Sequence, residues 1–132
     1  MLNPFPIQFL ALFAYFILRV TIAVCLLHLG TKHWRVRDEL QHVLRLSWFP
    51  YGRLVATLLP LGELSLGLLL LAGAHTQYAA LAVIAMSIKL LLLRNYFSHP
   101  SIPEKLFYFL LLGATTTLFV TGAGVPAFDL PL

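Results

Sequence analysis

The chain has 132 residues, 60% of them hydrophobic and only 11% charged, with a mean hydropathy of +0.88 and a formal net charge of +4. That length suits a single domain, residues 1–132, and so few charged residues cannot coat a soluble one, so the composition points to a membrane protein. The basic excess sits in loops between apolar runs, which reports orientation and lipid contact and excludes nucleic-acid binding, and the single cysteine, Cys25, excludes an internal disulfide or a CxxC redox pair.

The first apolar run covers residues 7–29, with Asn3, Pro4 and Pro6 at its start. A cleaved signal peptide would need a basic leader and a shorter core. Here the leader has no Lys or Arg and Arg19 interrupts the run, so it is expected to stay as a transmembrane helix. Residues 32–49 have another character. Val36, Leu40, Val43 and Leu44 fall on one helical face, and Arg35 with Glu39 and Asp38 with His42 are spaced four apart on the other. This pattern predicts a short amphipathic helix in the headgroup region, with Lys32, Trp34, Arg35, Arg37 and Trp48 as interfacial lipid contacts; a helix that docks a partner protein is the alternative.

Pro50-Tyr51-Gly52 ends that segment, and a second span is predicted over 53–72. Pro60 should kink it or free a carbonyl, while Gly62 and Gly67 leave room for a neighbouring helix. An uncharged turn, 73–77, leads to a third span over 78–97, closed by Ser98-His99-Pro100. Ser101 as cap, Pro103 and Glu104 then read as a helix start, opening a fourth span over 105–121 that Gly122 and Pro126 terminate. Short connections force neighbours to run antiparallel, so the expected fold is all-α, a four-transmembrane-helix up-down antiparallel bundle. Loop one holds Lys32, Arg35, Arg37, Arg45 and Arg53, and loop three holds Arg94 and Lys105. The termini and loop two hold no Lys or Arg, so both termini are expected outside the cell membrane and loops one and three in the cytoplasm.

Three charges interrupt the apolar runs. Arg19 lies 11 residues before Gly30 and Glu63 lies 11 residues after Gly52, which places both about 16 Å from the inner face if those glycines mark it. Lys89, 9 residues before Ser98, falls about 13 Å deep and can join them or snorkel to the interface. A mid-membrane charge costs about 2.5–3.5 kcal/mol, so Arg19, Glu63 and Lys89 are expected to face one another. Such a polar centre either fixes helix register or holds a ligand head group or a proton, and the sequence leaves both open. His28, His33, His42, His75 and His99 show no metal-ligand spacing and are expected to be structural or solvated. No catalytic triad and no phosphate-binding glycine loop is present, so no catalytic residue is assigned.

These landmarks, in this order, resemble the DoxX-like family of small four-helix membrane proteins. They are Arg19 followed by Gly30-Thr31-Lys32, then the amphipathic segment, Pro50, the run Glu63-Leu-Ser-Leu-Gly67 with Gly73 after it, Glu104, and Gly122-x-Gly124 with Asp129 beyond. His75 and Gln77 stand where the family often has a basic residue after the loop-two glycine. The resemblance implies a four-helix membrane subunit. It also implies two roles: a non-catalytic accessory subunit of a membrane redox complex, or a quinone-reactive subunit of a thiosulfate or other sulfur-compound oxidoreductase, with quinone as its cofactor; the polar midplane of Arg19, Glu63 and Lys89 leaves a third, a small-solute or lipid transporter. The expected partners are the bilayer, its anionic lipids at the cytoplasmic face, and another membrane or redox subunit.

Overall fold

A computed structural model describes residues 7–45, 51–97 and 99–122. The described chain is helical, with no strand: α1 (Ile7–Arg35), α2 (Arg37–Val43), α3 (Gly52–Ala72), α4 (Thr76–Leu93), a 3-10 turn (Arg94–Tyr96) and α5 (Lys105–Thr121). Three stretches are long and apolar enough to cross a membrane, Leu10–Arg35, Gly52–Ala72 and Thr76–Tyr96. The fourth expected span, α5, has 17 residues and is the shorter apolar helix.

Each helix buries one narrow stripe at helical spacing. On α3 the stripe is Gly52, Ala56, Pro60, Glu63, Gly67 and Leu70; on α4 it is Thr76, Ala79, Ala80, Val83, Ser87 and Leu90; on α5 it is Tyr108, Leu111, Thr115 and Leu118. Glu63, Ser87, Tyr108 and Thr115 lie within the stripes, while the outward faces are mostly apolar: Val120 is 75% exposed, Leu92 69% and Phe109 65%. A soluble domain reverses this arrangement, whereas hydrocarbon tolerates an apolar exterior and drives polar side chains together inside.

Close helix approach sets the register between α1 and α3. A Cβ on Gly30 would come 2.8 Å from Cγ of Leu64, and one on Gly67 would come 2.9 Å from Cγ of Leu27 and 3.2 Å from the Ala23 carbonyl oxygen. The expected role of Gly67 is therefore seen, but Gly62 faces open space and makes no close approach. Gly30, read from the sequence as the exit of the first span, lies inside α1, which runs on to Arg35. A helical glycine costs only about 1 kcal/mol, too little to end a helix whose neighbour needs the space.

The amphipathic segment is correspondingly shorter than expected. Residues 32–35 belong to α1, α2 is confined to Arg37–Val43, and residues 46–49, including Trp48, lie outside the described residues. Leu40 and Leu44 are buried with Ala56 against the first half of α3, so the apolar face of α2 docks on protein. Pro60 sits inside an unbroken α3, where its missing N–H leaves the Ala56 carbonyl without its usual helical donor. Gly73, left-handed at φ 69°, closes α3 with paired bonds from Ala74 N–H to the Leu69 carbonyl and from Gly73 N–H to the Leu70 carbonyl. Ser101 does not cap α5; Glu104, in extended conformation, holds the N-cap position, and the Ser101 backbone is used elsewhere.

Candidate polar site

Where α1 ends beside the middle of α3, His33 and Glu63 meet. His33 Nδ1 lies 2.7 Å from Glu63 Oε2, and both side chains are 0% exposed. The register explains the meeting. Gly30 against Leu64 and Leu27 against Gly67 run the two helices antiparallel, and one turn further along α1 His33 comes opposite Glu63.

The other ring nitrogen fixes the proton count. His33 Nε2 lies 3.1 Å from the Ser101 carbonyl oxygen, which can only accept, so Nε2 carries a hydrogen and donates it. The Nδ1 to Oε2 contact therefore holds one further proton. It sits on the imidazole, giving an ion pair, or on the carboxyl, giving a neutral pair. The net charge is zero either way, which is how an acid and a histidine are both accommodated at complete burial.

Ser101 belongs to the segment between α4 and α5, and that segment is firmly held. Arg94 donates from Nε to the Pro103 carbonyl at 2.8 Å, from Nη2 to the Ile102 carbonyl at 3.5 Å, and from Nη1 to the Phe97 carbonyl. The Ser101 N–H donates to His99 Nδ1 at 3.1 Å. Its acceptor side thus filled, His99 donates from Nε2 to Glu39 Oε2 at 3.2 Å, and Glu39 is 72% exposed. A line of hydrogen bonds accordingly runs from water-facing Glu39 through His99, Ser101 and His33 to buried Glu63.

Three further polar atoms are buried and lack a hydrogen-bond partner among the described residues: Glu63 Oε1, Tyr108 Oη and Ser87 Oγ. Tyr108 is within electrostatic reach of both Glu63 and Arg94. Buried polar atoms of this kind take a water or a ligand group.

The expected centre of Arg19, Glu63 and Lys89 does not assemble. Among the described residues the ion-pair partner of Glu63 is His33, and no ion pair joins Glu63 to Arg19. Arg19 is buried, with its guanidinium 5.4 Å from the centre of the Phe16 ring, 14 residues and about 21 Å up α1 from His33. Continued that far, the register places Arg19 beyond the end of α3. Lys89 is exposed on the outward face of α4, where a long stem can carry its ammonium toward the interface. Depths counted from Gly30 placed Arg19 too near the acid because Gly30 is not the end of the helix. His33 was legible only to a reading that carried α1 past Gly30, since Arg19, Ala23, Leu26, Gly30 and His33 then share one face.

Of the other residues singled out, Lys32, Trp34, Arg35 and Arg37 are exposed around the α1–α2 junction, with the Arg37 guanidinium 4.7 Å over the Trp34 ring. His28 and His42 are exposed, and His75 takes a left-handed conformation, φ 51°, ahead of α4. Among the described residues no group of three or more His, Cys, Asp or Glu is placed to hold a metal ion.

The DoxX family model matches residues 14–99, from within α1 to the segment that carries His99. The chain belongs to the DoxX family. It is an integral membrane protein of that family, and the matched region holds His33, Glu63 and Glu39 together. Comparison with curated proteins and with solved structures finds no match.

Proposed function

We propose that this DoxX-family protein is an accessory subunit of a membrane redox complex, and that its His33–Glu63 pair holds a proton for that complex. In this reading the chain crosses the cell membrane four times, up and down, with α5 as a short fourth span at the lower limit of useful length. Both termini lie outside, and the basic ends of α1 and α4 lie in the cytoplasm, as the distribution of Lys and Arg favours. The observation that carries the proposal is the fully buried 2.7 Å contact whose geometry leaves one proton between two bases. Ionisable groups inside a membrane bundle mark proton or substrate paths, and the acid of this pair keeps one oxygen, Oε1, without a hydrogen-bond partner among the described residues.

The test starts from native membranes. A tagged chain extracted in mild detergent should bring with it a partner that bears a redox cofactor, and Glu63→Gln should leave that association intact while slowing turnover of the complex at least about tenfold. A chain isolated without any redox-active partner, or unchanged turnover in Glu63→Gln, refutes the proposal.

A second reading, a quinone-reactive subunit in sulfur-compound oxidation, is favoured by one detail. A quinone carbonyl would accept the hydrogen bond that Tyr108 Oη does not make to any described residue. Lipid extracts of the purified protein would then contain quinone, and thiosulfate-dependent quinone reduction would fall in Tyr108→Phe.

A further inference from the structure

Beside α1, on the side where Ser101 packs against it, a groove of about 430 Å³ runs between that helix, the start of α5 and the segment joining α4 to α5. Its two ends differ. Toward the C-terminal end of α1 it is lined by His28, Leu29, Lys32 and Ser101; toward the middle of the helix it is lined by Val24 and Cys25, with Phe107 of α5. His28 and Lys32 are four residues apart, so they stand on one face, and both are exposed. Neither makes an ion pair with a described residue, and none of the described residues lining the groove is acidic.

We infer that this groove binds one anionic phospholipid of the inner leaflet. The inference rests on the membrane placement proposed above, in which the C-terminal end of α1 reaches the cytoplasmic headgroups. A phosphodiester set between Lys32 and His28 would meet a fixed positive charge and a second donor, and one acyl chain would follow Cys25, Val24 and Phe107 inward. The polar end faces the headgroups and the apolar end faces hydrocarbon, which is the order of an amphiphile standing in its own leaflet. A neutral choline lipid would leave the charge of Lys32 uncompensated. A docked helix would need an acid to match Lys32 and an apolar face at the same time; it is an outcome the test separates.

Native mass spectrometry of the full chain, purified in neutral detergent with equal phosphatidylglycerol and phosphatidylcholine, decides the matter. The unmodified chain should retain one phosphatidylglycerol in preference to phosphatidylcholine, a comparison that needs no variant. His28→Gln with Lys32→Gln should lower the retained fraction at least about tenfold. Arg53→Gln, which removes one positive charge away from the groove, should leave it unchanged. Glu63→Gln should also retain the lipid, so a failure of the redox reading would not be mistaken for a failure of this one. Equal retention of both lipids, retention of a quinone or a peptide in their place, or unchanged retention in the double variant would overturn the inference. So would displacement of the lipid by soluble glycerol phosphate, which would mark a site for a free anion.

Discussion

Removing His33 tests the buried pair most directly. In His33→Leu the Glu63 carboxyl keeps its complete burial but loses its 2.7 Å partner, and Oε1 already has none among the described residues. Breaking a buried pair by deleting one member costs about 3–5 kcal/mol, because the other is left as an uncompensated charge. Neutralisation sets the ceiling. Protonating an ordinary carboxyl at pH 7 costs about 3.7 kcal/mol, so the charge term in the variant should not exceed that. The loss expected for His33→Leu is therefore about 3–4 kcal/mol. His33→Leu combined with Glu63→Leu leaves no charge behind and should lose less than the two single changes together, with a coupling of at least about 2 kcal/mol. Reversible unfolding in mixed micelles, followed by the loss of helical circular dichroism, would measure all four proteins. The reasoning fails if the two single losses simply add. Arg19→Leu with Glu63→Leu is the control. Those residues are separated by several helical turns, so their effects should add to within about 0.5 kcal/mol.

Gly67→Leu should push α1 from α3, because even its Cβ would sit 2.9 Å from Leu27, and a loss of about 1–3 kcal/mol is expected in the same assay; Gly62→Ala, facing open space, should be neutral or stabilising by about 0.5–1 kcal/mol. Arg94→Met removes the donor to three carbonyls of the segment before α5, and hydrogen exchange at the Ser101 and Ile102 amides should speed up markedly while α1 and α3 stay protected. A reporter fused after Leu132 should be active only outside the cytoplasm, and activity inside would reverse the proposed orientation. Solution measurement of the imidazole nitrogens should find a proton on Nε2 of both His33 and His99; a bare Nε2 on His33 would remove the basis for counting one shared proton.

Much of the architecture was legible because the apolar runs are long and their interruptions abrupt. α3 begins one residue before its expected start at Arg53 and ends where expected, and α5 coincides with the stretch from Lys105 to Thr121. What misled was glycine. Gly30 resembles an exit from the membrane, yet in α1 it makes room for Leu64, and only the partner helix reveals that use. The same error moved the candidate site. An acid inside a span demands a partner, and Arg19 is the obvious base in a sequence where His33 stands among Lys32, Trp34 and Arg35. Three more residues of continuous helix turn His33 inward while its neighbours stay outside. The contact of Ser101 with His33 spans 68 residues and runs through a backbone oxygen, for which side-chain identity carries no signal.

The connection before α5 has an effect larger than its length. Ser101 gives its N–H to one imidazole and its carbonyl to the other, so that residue cannot shift without loosening both. The acid at the water's edge and the acid in the bundle's interior are thereby fastened to a single point of backbone. Any contact that displaced Glu39 would therefore pull, through that one residue, on the buried His33–Glu63 pair, with no moving helix required in between.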